Sequence, residues 1–248
     1  MKTKPILFST EMVQAILEGR KTQTRRIIKN EVLQSMKNIR YDGIEEDQDS
    51  ENYNHHFVEL VDEQGNPMEY YSSIGKCNDG EIGDILWVRE SFTKVEFEDK
   101  PTLYLYKANP EHQSMKWKPS IHMPKEACRL FLKVTNVRVE RLWDISAEDS
   151  KAEGCSFEII HNIKEYKDYL NPNNTFPVYA KLSFISLWEK INGEKSLEEN
   201  PWVWVIEFER VEKPENFNYE NDTANRKVGN ISPGRFHRYG SADASDFN

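Results

Sequence analysis

The sequence predicts an α+β fold: a mostly antiparallel, barrel-like β-sheet with flanking helices and long insertions. Two observations carry that prediction. Strand-like runs outnumber helical stretches, about six or seven to three. They also lack the regular strand–helix alternation that a parallel βαβ sheet demands. At 248 residues the chain is long enough to bury a sizeable core.

The elements follow in order. Ile6-Leu7-Phe8 is a short apolar run suited to a buried strand. Ser9 or Thr10 offers an N-cap, with Glu11 in the first turn, and Met12, Val13, Ile16 and Leu17 fall on one helical face. Gly19 supplies the stop. The stretch Thr22-Gln23-Thr24-Arg25, followed by Ile27-Ile28, reads as a strand or extended segment leaving that helix. Residues 31 to 54 look irregular, and Asp42, Glu45, Glu46, Asp47, Asp49 and Glu51 make an acidic, flexible insertion. Phe57 to Val61 and Met68 to Tyr71 flank Glu63-Gln64-Gly65-Asn66-Pro67, a hairpin signal.

The turn Gly80-Glu81-Ile82-Gly83-Asp84 feeds a core strand from Ile85 to Glu90, and Leu103 to Tyr106 is another short strand. A two-proline loop runs from Lys116 to Pro124. From Arg129 to Leu142 apolar residues alternate, with a break of phase near Thr135-Asn136 that predicts a bulge. Ser146 caps a short helix ending at Glu153-Gly154. Residues 156 to 178 favour neither state. Leu182, Ile185, Leu187, Trp188 and Ile191 give a helix stopped by Asn192-Gly193, and Trp202 to Phe208 is the last strand. The expected organisation is one domain over residues 1–213, with insertions at about 31–79 and 92–128, and a polar, flexible tail over 214–248.

The formal charge of −9 excludes a generic polyanion binder, because the mean field repels phosphates. Any nucleic-acid contact must come from a local basic patch. Cys77, Cys128 and Cys155 are far apart, odd in number and outside any CxxC, as expected of reduced cytosolic thiols. His55-His56 stands beside acidic residues and reads as a solvated loop. No metal, cofactor, signal peptide or membrane span is expected, so the predicted location is the cytoplasm.

The local patch lies after the first helix. Arg20, Lys21, Arg25, Arg26 and Lys29 fall between positions 20 and 29, which hold no acid. Arginine forks suit phosphate oxygens, and the hydroxyls of Thr22 and Thr24 can complete an anion site. The same cations also suit a solvated helix C-terminus, where they complement the dipole. Lys116, Trp117 and Lys118 have the composition of a base-stacking platform beside a phosphate, or of a buried Trp between solvated lysines.

Three stretches, in this order, resemble the ASCH family: Gly19-Arg20-Lys21-Thr22-Gln23-Thr24-Arg25-Arg26, then Gly83 to Glu90, then Asp144 to Gly154. Gly19, Arg20, Lys21, Thr22, Thr24 and Arg26 match the family's G-R-K-T-x-T-x-R pattern. The resemblance implies a β-barrel similar to the PUA domains of RNA-modifying proteins. The layout with Trp117 to Pro124 and Asn200 to Val205 is similar to the longer ASCH proteins of phages and prophages, which implies the cytoplasm of a bacterial host. Small bacterial members hydrolyse the acetyl amide of N4-acetylcytidine. By resemblance their catalytic Lys, Thr and Glu fall on Lys21, Thr24 and Glu153, with Glu148 or Asp149 as alternatives to Glu153.

The chemistry is coherent. A Thr hydroxyl needs a base to become a nucleophile, and a Lys serves as that base when burial or nearby cations lower its pKa. The implied partner is a modified nucleoside, nucleotide or RNA, contacted by Arg20, Thr22, Arg25, Arg26, Lys116, Trp117 and Lys118. Two other activities stay open: a non-catalytic RNA-binding module, and RNA strand cleavage. In the plainest alternative, Lys21 and Glu153 form only a structural salt bridge.

Overall fold

Fourteen strands and five α-helices form among the residues described by the computed structural model, namely 2–35, 39–44, 51, 55–62, 64–98, 101–109, 111, 115–215, 217 and 237–238. In chain order the first are β1 (Thr3–Leu7), α1 (Thr10–Leu17), β2 (Gln23–Ile27), α2 (Glu31–Ser35), β3 (Ile39–Ile44), β4 (His56–Val61) and β5 (Pro67–Gly75). Then come β6 (Ile85–Arg89), β7 (Phe92–Val95), β8 (Leu103–Tyr106), β9 (Phe131–Arg141), α3 (Ala147–Ala152), β10 (Phe157–Ile160) and β11 (Ile163–Lys167). The last are β12 (Thr175–Pro177), α4 (Ala180–Asn192), α5 (Lys195–Glu198), β13 (Trp202–Val211) and β14 (His237–Arg238). The chain divides into two units, one of Met1–Ile27 with Cys77–Asn225, the other of Ile28–Lys76 with Arg226–Asn248.

The first unit is built on a five-stranded sheet in the order β1-β6-β9-β13-β2. Only β1 and β6 run parallel; the other ladders are antiparallel. The expected α+β class with a mostly antiparallel sheet therefore forms, but the ladders leave the sheet open, with β1 and β2 as its ends. Ser9 Oγ accepts from Met12 N at 3.3 Å and caps α1. The ladder between β9 and β13 shifts where Glu207 pairs with Asn136 and Phe208 with Val134, so Thr135 is the extra residue of a bulge. One buried cluster, including Leu142, Ile145, Phe184, Trp188, Val203 and Val205, lies between this sheet and α4. A second gathers Trp87, Phe92, Met123, Phe131 and Phe217.

Residues 156–178, which gave no clear signal, form the antiparallel sheet β10-β11-β12. Of the expected flexible tail, only Pro214, Glu215, Phe217, His237 and Arg238 fall within the described residues. Within it Phe217 is buried, its ring 4.7 Å from that of Phe131.

The second unit carries the sheet β14-β5-β4-β3. Its α2 and β3 correct the expectation that residues 31 to 54 are irregular. Leu33 and Ile39 are buried, and Arg40 pairs with Glu59 across the ladder. The acidic residues 45–50 lie outside the described residues. His56 is also not in a solvated loop: it opens β4, is buried, and meets the Tyr41 hydroxyl through Nδ1 at 2.8 Å. Burial, then the neighbouring His55, pushes its pKa down to about 4.

Candidate functional site

The segment after α1 is held in place by its own backbone. Gly19 adopts φ +74° and lets the chain reverse, so that Arg20 N and Lys21 N both donate to Ala15 O, at 2.8 and 3.0 Å. Thr22 N donates to Ala152 O at 2.9 Å, and Phe208 N donates to Thr22 O at 2.8 Å. Lys21 and Glu153 face each other as an isolated antiparallel bridge. On the far side, Ser146 Oγ accepts from Asp149 N at 3.0 Å and starts α3, which delivers Glu153 as its C-cap. Gly154 follows at φ +84°. A Cβ there would lie 2.6 Å from Lys21 Cβ and 2.9 Å from Ala15 Cβ, so only glycine allows α3 to end this close to Lys21.

The Lys21 side chain is fully buried. Its Nζ donates to Gln23 O at 2.8 Å, Glu153 O at 3.0 Å and Glu153 Oε2 at 3.0 Å. An ammonium has three N–H groups, so every donor is met. Burial lowers the Lys21 pKa; the charge and hydrogen bond of Glu153 work against that, and Arg26 adds to it.

The second Glu153 oxygen accepts from Arg25 Nη1 at 2.9 Å. Arg25 is buried too, and gives Nε to Glu140 Oε1 at 3.1 Å and Nη2 to both Glu140 Oε1 and Asp149 Oδ2. Arg138 extends the network to Asp149 at 2.9 Å, to Glu140 and to Glu207. Burial alone would raise the Asp149 pKa, but the charges of Arg138 and Arg25 bring it below the usual value.

These contacts place the expected site residues. Lys21 and Glu153 come together. Thr24 is buried on β2 between Gln23 and Arg25, so strand alternation puts it on the opposite face, paired with Ile206. Phe8 adjoins Lys21 and Arg26, with Lys21 Nζ and Arg26 Cζ each 5.6 Å from its ring centroid. Among the described residues no hydrogen bond joins the Thr24 hydroxyl to Lys21 or Glu153.

The residues expected to hold a phosphate divide. Arg25 is turned inward onto three carboxylates. Arg20 donates to Gly154 O at 2.6 Å and pairs with Glu18, which suits a cation near the C-terminus of α3. Thr22 is exposed, and Arg26 donates to Leu7 O at 3.1 Å. Lys116 and Lys118 are exposed and Trp117 is half-buried; no described contact joins them to the Lys21–Glu153 pair. Of the alternatives to Glu153, Asp149 belongs to the network, whereas Glu148 is exposed beside Lys151 at 4.0 Å.

Sequence reading missed Arg138, Glu140 and Glu207. The one signal was the i, i+2 spacing of Arg138 and Glu140, which puts both on one face of β9. Among the described residues no group of three or more His, Cys, Asp or Glu is arranged to hold a metal ion, and no helix is long and apolar enough to cross a membrane. Cys77, Cys128 and Cys155 are buried free thiols. No family model matches the chain, and no curated protein or solved structure matches it.

Proposed function

We propose that the chain is an ASCH-type protein with a PUA-like barrel architecture, directed at a modified cytidine in a nucleoside, nucleotide or RNA, and that it hydrolyses an N4-acyl amide with Lys21, Thr24 and Glu153. The observation that carries this reading is the buried Lys21 Nζ held 3.0 Å from Glu153 Oε2. Strongly desolvated titratable pairs concentrate at functional sites. The barrel assignment draws support from the neighbouring ends of the open sheet, where Arg26 of β2 reaches the Leu7 carbonyl of β1.

In this mechanism burial favours Lys21 as the neutral amine, its proton released to solvent, beside the Glu153 carboxylate. Lys21 releases the Gln23 carbonyl, the one hydrogen-bond partner of its Nζ outside Glu153, and accepts the Thr24 hydroxyl proton. Thr24 Oγ1 attacks the amide carbonyl. The C–N bond breaks, N4 of cytidine leaves with a proton from Lys21, and water hydrolyses the acyl-threonine to acetate. The test is release of cytidine and acetate from N4-acetylcytidine. The wild-type protein turns over, and Thr24→Ala and Lys21→Ala do not. A wild-type protein that releases neither product refutes the hydrolysis.

A second reading is binding without chemistry. Two observations favour it: all three Lys21 donors are spent, and Thr24 lies on the other strand face. Here the exposed Thr22, Lys116 and Lys118 and the half-buried Arg26 and Trp117 hold RNA. Affinity then falls steeply with salt, and Arg26→Ala lowers that slope by about one. Salt-insensitive or absent RNA binding refutes this reading.

A further inference from the structure

A second arginine–carboxylate pair lies away from the Lys21 network. Glu90 follows β6 and is almost wholly buried. Its two oxygens accept from Arg129 Nε at 2.8 Å and Nη2 at 2.9 Å, a bidentate fork. Arg129 Nη1 donates to Asn109 Oδ1 at 2.8 Å, and the Tyr106 ring lies 4.0 Å from Cζ. The guanidinium is therefore fixed on two edges and one face. It has five N–H groups and these contacts use three. One N–H on Nη1 and one on Nη2 meet no acceptor among the described residues, and the side chain is 25% exposed.

What Arg129 lines is an open concavity of about 530 Å³, completed by Arg210, Val211, Glu212 and Lys213 at the end of β13. The lining holds three cations and one acid, with Glu90 bound to Arg129 behind it. Because Glu90 is already bound to Arg129 from the protein side, it orients the guanidinium without using its last two donors. A pre-fixed fork with two supporting charges matches the geometry and charge of a phosphate.

We infer that this concavity is a phosphate-binding site, in which the two remaining Arg129 N–H groups bind the phosphate oxygens and Arg210 and Lys213 add supporting charge. The site goes beyond the hydrolysis reading and needs neither Lys21 nor Thr24. The phosphate can be free or carried by a nucleotide.

Calorimetric titration of the full chain tests it, with inorganic phosphate, cytidine 5′-monophosphate and, as the control without phosphate, cytidine. Saturable binding of a phosphate-bearing probe is expected. Arg129→Lys keeps a charge beside Glu90 but loses the fork, and is expected to weaken binding about tenfold. Arg210→Ala removes an exposed side chain, leaves the fold intact, and is expected to weaken it about threefold. Tighter binding of the nucleotide than of inorganic phosphate identifies a nucleotide as the source; equal affinities identify free phosphate. Absence of binding by both, or wild-type affinity in both variants, overturns the proposal. Neither result bears on N4-acetylcytidine turnover, so the two ideas fail separately.

Discussion

Arg25 and Arg129 both lie against buried carboxylates in the same unit, yet they spend their donors in opposite ways. Arg25 gives four hydrogen bonds to Glu140, Asp149 and Glu153, and its side chain is 0% exposed. Arg129 gives two to Glu90 and one to Asn109, and among the described residues its other two N–H groups, beside a concavity, meet no acceptor. A cation in a basic segment is thus not a ligand site by virtue of its charge. What matters is whether the protein has already supplied the anion. For Arg25 it has supplied three. For Arg129 it has supplied one, placed so that it orients the fork.

The sharpest way to break this comparison is to remove one acid from each pair. Glu153→Ala leaves Lys21 and Arg25 buried with a charge uncompensated, and should cost about 3–5 kcal/mol in urea unfolding. Glu90→Gln leaves Arg129 able to turn toward water, and should cost about 1–2 kcal/mol. Equal costs would remove the distinction between the two pairs.

Gly154→Ala comes next. It combines a left-handed φ with a Cβ 2.6 Å from Lys21 Cβ, so a loss of about 2–4 kcal/mol is expected in the same measurement. A cost below about 1 kcal/mol would mean that α3 does not need to end so close to Lys21. Ser146→Ala, which removes the cap of α3, should cost about 1 kcal/mol.

The smallest effect concerns pH. Asp149 has a native pKa below its ordinary value, so the unfolded chain takes up its proton first as pH falls. Its contribution is complete above the ordinary carboxylate pKa of about 4 and is lost as pH drops through the lowered native value. Asp149→Asn should be less stable at neutral pH by about 1 kcal/mol, and lose less than the wild type between about pH 5 and 2. Parallel stability–pH curves for the two proteins would remove Asp149 from the network.

Much of the frame was legible because local chemistry sets it. Ser9 and Ser146 cap helices, Gly19 and Gly193 end them at positive φ, and the lost phase at Thr135 is a bulge. β3 and β10–β12 were not legible. Glu158, Ile159, Ile160, Ile163 and Lys164 are all exposed, so no buried face imprints a period of two. Phe217 was missed because a few aromatics scattered through a polar stretch give no sustained period.

In the site, family resemblance paired Lys21 with Glu153. The inward turn of Arg25 was invisible, because its partners Glu140, Asp149 and Glu153 lie 115, 124 and 128 residues away. Charge in a sequence shows where cations are dense, but the sheet register decides which acids meet them.

The hydrolysis reading stands or falls on the Thr24 hydroxyl, so the most direct measurement compares Thr24→Ser with Thr24→Val on N4-acetylcytidine. Serine keeps the oxygen, whereas valine keeps the shape without it. Cytidine release by the wild type and Thr24→Ser, with none from Thr24→Val, is the predicted result. Wild-type turnover by Thr24→Val, or none by the wild type itself, would contradict it.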